Sequence, residues 1–412
     1  MSDKQIVPQV ALQSKGAIHW VGNAVWSQTG YGGQAKLLLP RFAKLGHQPS
    51  MTAYYGLQGH MLQINNMNVF PMGYHPYGMD VCASNAQISR ARILMTCLDV
   101  WVCEPQMFTG DVLWVPWYPI DSETVNTGIK AKLPAAFDMI AMSKFGQRKV
   151  EELGLKTHYA PCCVDTTIFA PADRETSRVS ASEQITAPLP KDAFIVSMVA
   201  MNKGNPSRKA FYEQFRAFRA LHNKHPDTVL YAHTITSEAG QQGGVNLLEI
   251  CAALDLKVGV DIIFPNALAI INGYQDTFLN SVYNASDVLL SVTMGEGFGI
   301  PIIEAQAAGC PVIIGDWTSM SELKFSGWSV DKSEASEFWT PLNAIQYLPK
   351  WEAIADRLEM AYQMRGNMDY RKRARKGALA YDCDKVLEKH WVPILAEIDA
   401  KVKERPTFTV PV

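Results

Sequence analysis

The residues richest in chemistry stand together in SVTMGEGFGIPIIEAQAAGCPVIIGD, residues 291–316. An apolar run ends in a glycine-rich turn, and Pro301 suits the first turn of a helix beyond it. Gly295, Gly297 and Gly299 permit positive φ and close approach of the backbone to a ligand. The free N–H groups of a helix start favour anionic or hydroxyl-rich groups. Two carboxylates flank the turn, Glu296 at its mouth and Glu304 one helical turn in. The string is not the dinucleotide fingerprint, which needs G-x-G-x-x-G. Chemistry alone leaves two readings: a polyhydroxyl or nucleotide site, or a plain glycine turn between strand and helix.

The elements that must position this turn alternate in type. FIVSMVA (194–200) is a β-rich apolar run, followed by a helical pattern from about Pro206 to His225 with Phe211, Phe215, Phe218 and Leu221 on one face. TVLYAHTI, DIIFPN, VLLSVT and PVIIGD are further short apolar runs, separated by helical stretches at 245–256 and 273–286 and by the helix opened by Pro301. Strands apolar along their whole length fit a parallel sheet covered on both faces, so this half is expected to be a doubly wound α/β domain. The first half repeats the theme with AIHWVG, ARILMTCLDVWV, DVLWVPWYP and FDMIAMS as strands. TGYGGQ (29–34) follows the first of them and opens a helix that continues despite Pro40. The polar, proline-bearing segment 172–191 is expected to be a linker. YRKRARK (370–376) reads as a solvated helix face, with a phosphate-binding patch as the alternative.

Composition excludes several classes. The chain has 412 residues, 48% of them apolar and 19% charged, with a formal net charge of −2. Disorder needs the opposite balance. Bulk positive charge for nucleic acid or membrane is absent, although a local basic groove is compatible with the count. Eight cysteines with no C-x-x-C pair point to reduced thiols in a cytoplasmic protein. The start MSDKQIVPQV lacks signal-peptide patterning, and no apolar run approaches the ~20 residues of a membrane span. Asp382-Cys383-Asp384 is a D-x-D string, but it lies between helical stretches rather than after a strand, so no metal is expected there.

The strand, GEGFGIP and the two glutamates in E-x(7)-E spacing resemble the signature of retaining glycosyltransferases of family 4, which have the GT-B fold. The resemblance extends through DMIAMSKFGQRKVEELGLKTHYAPCCVDTTIFAP (138–171), VAMNKGNPSRKAF (199–211) and QDTFLNSVYNASDVLLSV. It implies two Rossmann-like domains facing a cleft. Residues 1–171 would read the acceptor, joined by a C-terminal helix at about 380–412, and 192–379 would bind a nucleotide sugar. It implies that Glu304 binds the ribose hydroxyls. Glu296 and the amides around Gly297, Phe298, Gly299 and Ile300 would contact the donor sugar, and Lys209 would neutralise the diphosphate. Where the family usually has an Arg, this chain has Asn202 and Lys203. Lys203 is the substitute, without the bidentate fork of Arg, and Arg208 is a third candidate cation.

The resemblance also implies that the loop with Gly30, Gly32 and Gly33 approaches the donor phosphates and the acceptor, and that Asp121, a catalytic candidate, stands roughly where the family often has a His close to the donor sugar. Asp99, His60 and Tyr31 are the remaining acceptor-side candidates. Neither metal nor other cofactor is implied; a UDP-sugar is favoured as co-substrate and a GDP-sugar comes next. The stretches GYGGQAKLLLPRFAKLGH and TAYYGLQGH look like those of phage and bacterial members, which makes hydroxymethylated DNA an alternative acceptor. An inactive sugar- or DNA-binding module is the alternative of another class.

Overall fold

The computed structural model describes residues 15–236 and 243–405. The opening MSDKQIVPQV and the end of the tail, 406–412, lie outside the described residues. Two parallel sheets dominate. In chain order the first unit runs β1 (Ala17–Asn23), α1 (Gly30–Lys44), β2 (Gln48–Tyr55), β3 (Leu62–Ile64), β4 (Met67–Pro71), α2 (Cys82–Ile88), β5 (Ile93–Cys97), β6 (Leu113–Tyr118), α3 (Thr127–Lys132), β7 (Ile140–Ala141), α4 (Lys144–Glu151) and β8 (His158–Tyr159). Its strand order is β3-β4-β2-β1-β5-β6-β7-β8, parallel except for the β3–β4 pair. The sequence places the breaks: Thr29 caps α1 by accepting from the Gly32 N–H, and Ser143 caps α4 from the Gly146 N–H.

The second unit runs α5 (Arg174–Ser182), β9 (Phe194–Val199), α6 (Phe211–Lys224), β10 (Thr228–His233), α7 (Leu247–Ala253), β11 (Ile262–Ile263), α8 (Ala267–Asn272), α9 (Asp276–Ala285), β12 (Val288–Ser291), α10 (Ile300–Ala307), β13 (Val312–Gly315) and β14 (Gly327–Val330). Its sheet order, β11-β10-β9-β12-β13-β14, is parallel throughout and reverses direction beside β9. An open α/β sheet binds its ligands outside the carboxyl ends of strands at such a reversal. An antiparallel ribbon follows, β15 (Ala335–Trp339) with β16 (Ile345–Pro349), then α11 (Trp351–Gln363), α12 (Met368–Ala378), α13 (Cys383–Val386) and α14 (Val392–Glu404).

The chain ends against the first sheet. Trp391 is fully buried, with ring centroids 5.0 Å from Trp117 and 5.1 Å from Phe42. Lys401 on α14 pairs with Asp138 at 2.7 Å.

Two expectations about surface segments are corrected. The expected linker contains helix α5, whose Arg178 is buried and donates to the carbonyls of Pro190, Lys191 and Ala193. Its hydroxyls and Arg side chains made it look polar, but they serve carbonyl groups and Asp287. The YRKRARK run is not wholly a solvated face: Lys372, Arg373 and Lys376 are exposed, but the other two cations are engaged. Arg371 donates to Gly309, Asn284 and Ser286 carbonyls, and Arg375 to Phe169, Ala307 and Thr166 carbonyls. Arg375 thereby ties the end of the first unit to α10. All eight cysteines are buried and free. No helix among the described residues is long and apolar enough to cross a membrane.

Candidate functional site

Strand β12 delivers the chain to the turn at 295–299, and α10 leaves it. Gly299 has φ +107, which permits the sharp entry into α10, and Pro301 sits in the first turn. The back of the turn is fastened: the Glu296 N–H donates to Thr318 Oγ1, and Ser319 Oγ bonds the carbonyls of Glu296 and Phe298 at 2.7 Å each. The N–H groups of Gly297, Phe298 and Gly299 have no hydrogen-bond partner among the described residues. Free N–H groups at a helix start make an anion-receptive edge. The Phe298 side chain does not join them. It is buried and packs on Tyr381.

Arg208 and Lys209 come from the segment between β9 and α6. Lys209 Nζ lies 2.5 Å from Glu296, and Arg208 Nη1 lies 3.1 Å from the same carboxylate and also donates to the Gly295 carbonyl. Burial alone would raise Glu296, but the two cations outweigh it and hold the carboxyl down at about 2. Arg208 also reaches across the cleft to Asp121 at 3.5 Å. Two carboxylates and two cations thus form one network joining the units.

Glu304, one turn into α10, accepts from the Tyr283 hydroxyl at 2.9 Å. Burial, aided by Asp276, pushes its carboxyl up to about 7, and the Tyr283 bond opposes this without cancelling it. A carboxyl poised there becomes a good acceptor for a vicinal diol once ionised.

The first unit closes the site. A Cβ on Gly30, at the start of α1, would lie 3.2 Å from Ile300 at the start of α10, so two helix N-termini face each other. Gly32 has no room for a side chain, with Ser27 O at 2.4 Å from its Cβ position, whereas Gly33 faces open space. Tyr31 is half-buried beside Asp99 and Tyr54. Asp99 stands at the end of β5. Burial first and Asp121 second push its carboxyl up to about 6, against Arg208 and Lys203.

The reason expected for two of the glycines is corrected. Gly295 and Gly297 do not adopt positive φ; what approaches their backbone is the first unit itself, Asp121 and Pro119. Asn202 is also corrected: its amide is engaged with the Ile235 and Val245 carbonyls and the Val245 N–H, so it anchors a loop. Lys203 is exposed and reaches this region only through the field it exerts on Asp99. His60 is exposed on the loop after β2, outside the Glu296 network.

The D-x-D carboxylates are structural, Asp382 accepting from Thr166 and Asp384 pairing with Arg41. Asp138, His158 and Glu397 lie close enough together to hold a metal ion, but Lys401 sits 2.7 Å from both carboxylates and supplies the positive charge. Sequence reasoning missed Thr318, Ser319 and Tyr283. The first two lie in an irregular turn after β13, and Tyr283 falls among the core residues of α9. It also missed Gln346 of β16, which donates to the Asp121 carbonyl while the neighbouring Tyr347 N–H donates to the Met294 carbonyl. That ribbon sets the Asp121 loop against the glycine turn.

Comparison with known proteins agrees with this geometry. Residues 243–344 match the family model described as glycosyl transferases group 1. A D-inositol 3-phosphate glycosyltransferase from Salinispora tropica is 27% identical over 154 residues, 36% of this chain and 30% of that protein. The matches span less than half the length of the curated relatives. Sucrose-phosphate synthase from Thermosynechococcus elongatus superposes with a TM-score of 0.68 at 15% identity, covering 95% of this chain and 99% of that one. Anabaena HepE, solved in complex with UDP and glucose, gives 0.61 at 13% identity, covering 93% and 100%. Residues 243–344 are therefore similar to the group 1 (family 4) glycosyltransferases, and the chain as a whole has the GT-B-like fold of two Rossmann-like sheets.

Proposed function

We propose that the protein is a retaining glycosyltransferase that moves a sugar from a nucleoside diphosphate sugar to a hydroxyl acceptor. The observation that carries this is the Glu296–Lys209–Arg208 network at the N-terminus of α10, with Glu304 one turn inside. The second unit, 192–379, would hold the donor. Residues 1–171 with the C-terminal helix would present the acceptor.

In this reading Glu304 takes the ribose diol. The diphosphate lies between the N-termini of α1 and α10, where backbone N–H groups, Lys209 and Arg208 stabilise the charge that grows as the glycosidic bond breaks. The acceptor hydroxyl attacks the anomeric carbon from the face the diphosphate leaves. A phosphate oxygen of the leaving group takes the hydroxyl proton, so no protein nucleophile is needed. Glu296 keeps both cations oriented and meets the donor sugar, and Asp121 holds Arg208 from the acceptor side. UDP is favoured as the base-bearing carrier because a solved neighbour of this fold holds UDP and glucose.

The test follows UDP- and GDP-sugars by nucleotide release and by the anomeric proton of the product. Glu304→Ala is expected to raise the donor KM at least 20-fold, and Glu296→Gln to lower kcat at least 100-fold. Turnover indifferent to both substitutions, or an inverted product, would overturn the reading.

A further inference from the structure

The acceptor face has a chemical bias that the donor site does not share. The loops at the carboxyl ends of β1, β2, β4, β5 and β6 are residues 24–29, 56–61, 72–81, 98–112 and 119–126, and none contains Lys or Arg. They do contain carboxylates, and most are already engaged. Glu104 pairs with Lys132, Asp111 with Arg92, Glu123 with Lys149, and Asp121 with Arg208; Asp80 accepts from the Tyr74 N–H.

Asp99 is the exception. Its carboxylate has no ion pair among the described residues, and Arg208 and Lys203 act on it only at longer range. Tyr31 and Tyr54 both lie within its field, Tyr77 packs edge-on against Tyr54 at 5.3 Å, and Trp101, two residues on, is 37% exposed.

We infer that the acceptor is an uncharged polyhydroxyl compound, a sugar or glycoside ring. It is held by hydroxyl donation to Asp99 with a face against the neighbouring tyrosines and Trp101. This rests on the donor reading above. A free carboxylate accepts from hydroxyl groups and repels phosphates, and aromatic faces cover the apolar faces of a sugar ring. Arg208 and Lys203, on the donor side, both act on Asp99, but Arg208 is already paired with Asp121 and Glu296. The same bias disfavours DNA, whose backbone needs cations along its track. It also separates this chain from the Salinispora relative, whose name specifies a phosphorylated inositol.

The experiment measures UDP release from UDP-glucose with paired acceptors: glucose, mannose and inositol, each against its phosphate ester, plus duplex DNA carrying hydroxymethylcytosine. UDP binding is measured separately by calorimetry. The neutral member of a pair is expected to exceed its phosphate at least tenfold in kcat/KM. Asp99→Asn should lower acceptor kcat/KM at least 50-fold with UDP affinity within twofold of wild type, and Asp99→Glu should restore part of it. Preference for a phosphate ester or for DNA, or an equal response within every pair including none, overturns the inference while intact UDP binding leaves the donor reading standing. Failure of wild-type protein to bind UDP or GDP removes the donor reading, and this inference with it.

Discussion

Gly295 and Asp121 meet backbone to backbone across the cleft: a Cβ on Gly295 would lie 2.0 Å from the Asp121 carbonyl oxygen. Gly297 meets the Pro119 ring just as closely, with its Cβ position 2.2 Å from the Pro119 Cβ. The two units are seated on each other through the turn that also carries Glu296.

Gly295→Ala should therefore act as a wedge. The neighbour is backbone and cannot rotate away, so the Asp121 loop must move and Arg208 must lose its reach to Asp121. We expect kcat to fall at least 30-fold and nucleotide affinity to fall by much less, because Glu304 and Lys209 lie on the second unit and only the α1 side of the diphosphate site moves with the first. Steady-state kinetics beside calorimetric nucleotide binding check this; equal losses in both would contradict it.

The Glu296–Lys209 pair separates stability from chemistry. Lys209→Met leaves a buried carboxylate with Arg208 alone and is expected to cost about 3 kcal/mol in urea unfolding. Adding Glu296→Gln removes the uncompensated charge and should recover more than half of that loss. Transfer should remain absent in the double variant. Recovery of turnover along with stability would show that the pair is structural only.

Glu304 gives a proton-linkage prediction. Its carboxyl is raised from 4.5 to about 7 in the folded protein. The stability this group contributes is thus fully present below about pH 4.5 and is lost as pH rises through about 7. Nucleotide binding that uses the ionised form must expel the proton. Calorimetry of UDP at pH 6.5, in buffers of different ionisation enthalpy, is expected to show greater proton release in wild type than in Glu304→Gln, the remainder coming from the terminal phosphate of UDP.

Much of this was legible in the sequence because the pattern and the chemistry coincided. The apolar strands β9, β10, β12 and β13, the phenylalanine face of α6 and the turn before Pro301 fall where periodicity and glycine place them. Glu296, Lys209, Arg208 and Asp121 were nameable separately, but their ion pairs join residues far apart in sequence, and no spacing rule reports that. Asn202 misled because a buried amide serving backbone looks, in sequence, like a polar loop residue. The 172–191 segment misled because Arg178 is buried by bonding carbonyls rather than by apolar character. The ribbon β15–β16 is two short strands whose value lies in what they touch, Asp121 and Met294.

The C-terminal helix is expected to be indispensable. Trp391 fills the space between Trp117 and Phe42, so Trp391→Ala should cost about 3–5 kcal/mol. A chain ending at Asp369 should not yield a folded first unit, read by near-ultraviolet circular dichroism and protease resistance. A stable, active truncation would contradict the packing described.

The most direct test of the central claim is a titration of UDP, GDP, ADP, CDP and dTDP into wild type and Glu304→Ala, read by thermal shift and calorimetry. The account predicts that one nucleoside diphosphate binds wild type and, at ~100 times its Kd, adds ~2.7 kcal/mol of stability. Glu304→Ala should weaken that binding at least 20-fold. No binding by any of the five, or binding indifferent to Glu304, would contradict the assignment of a donor pocket at the head of α10.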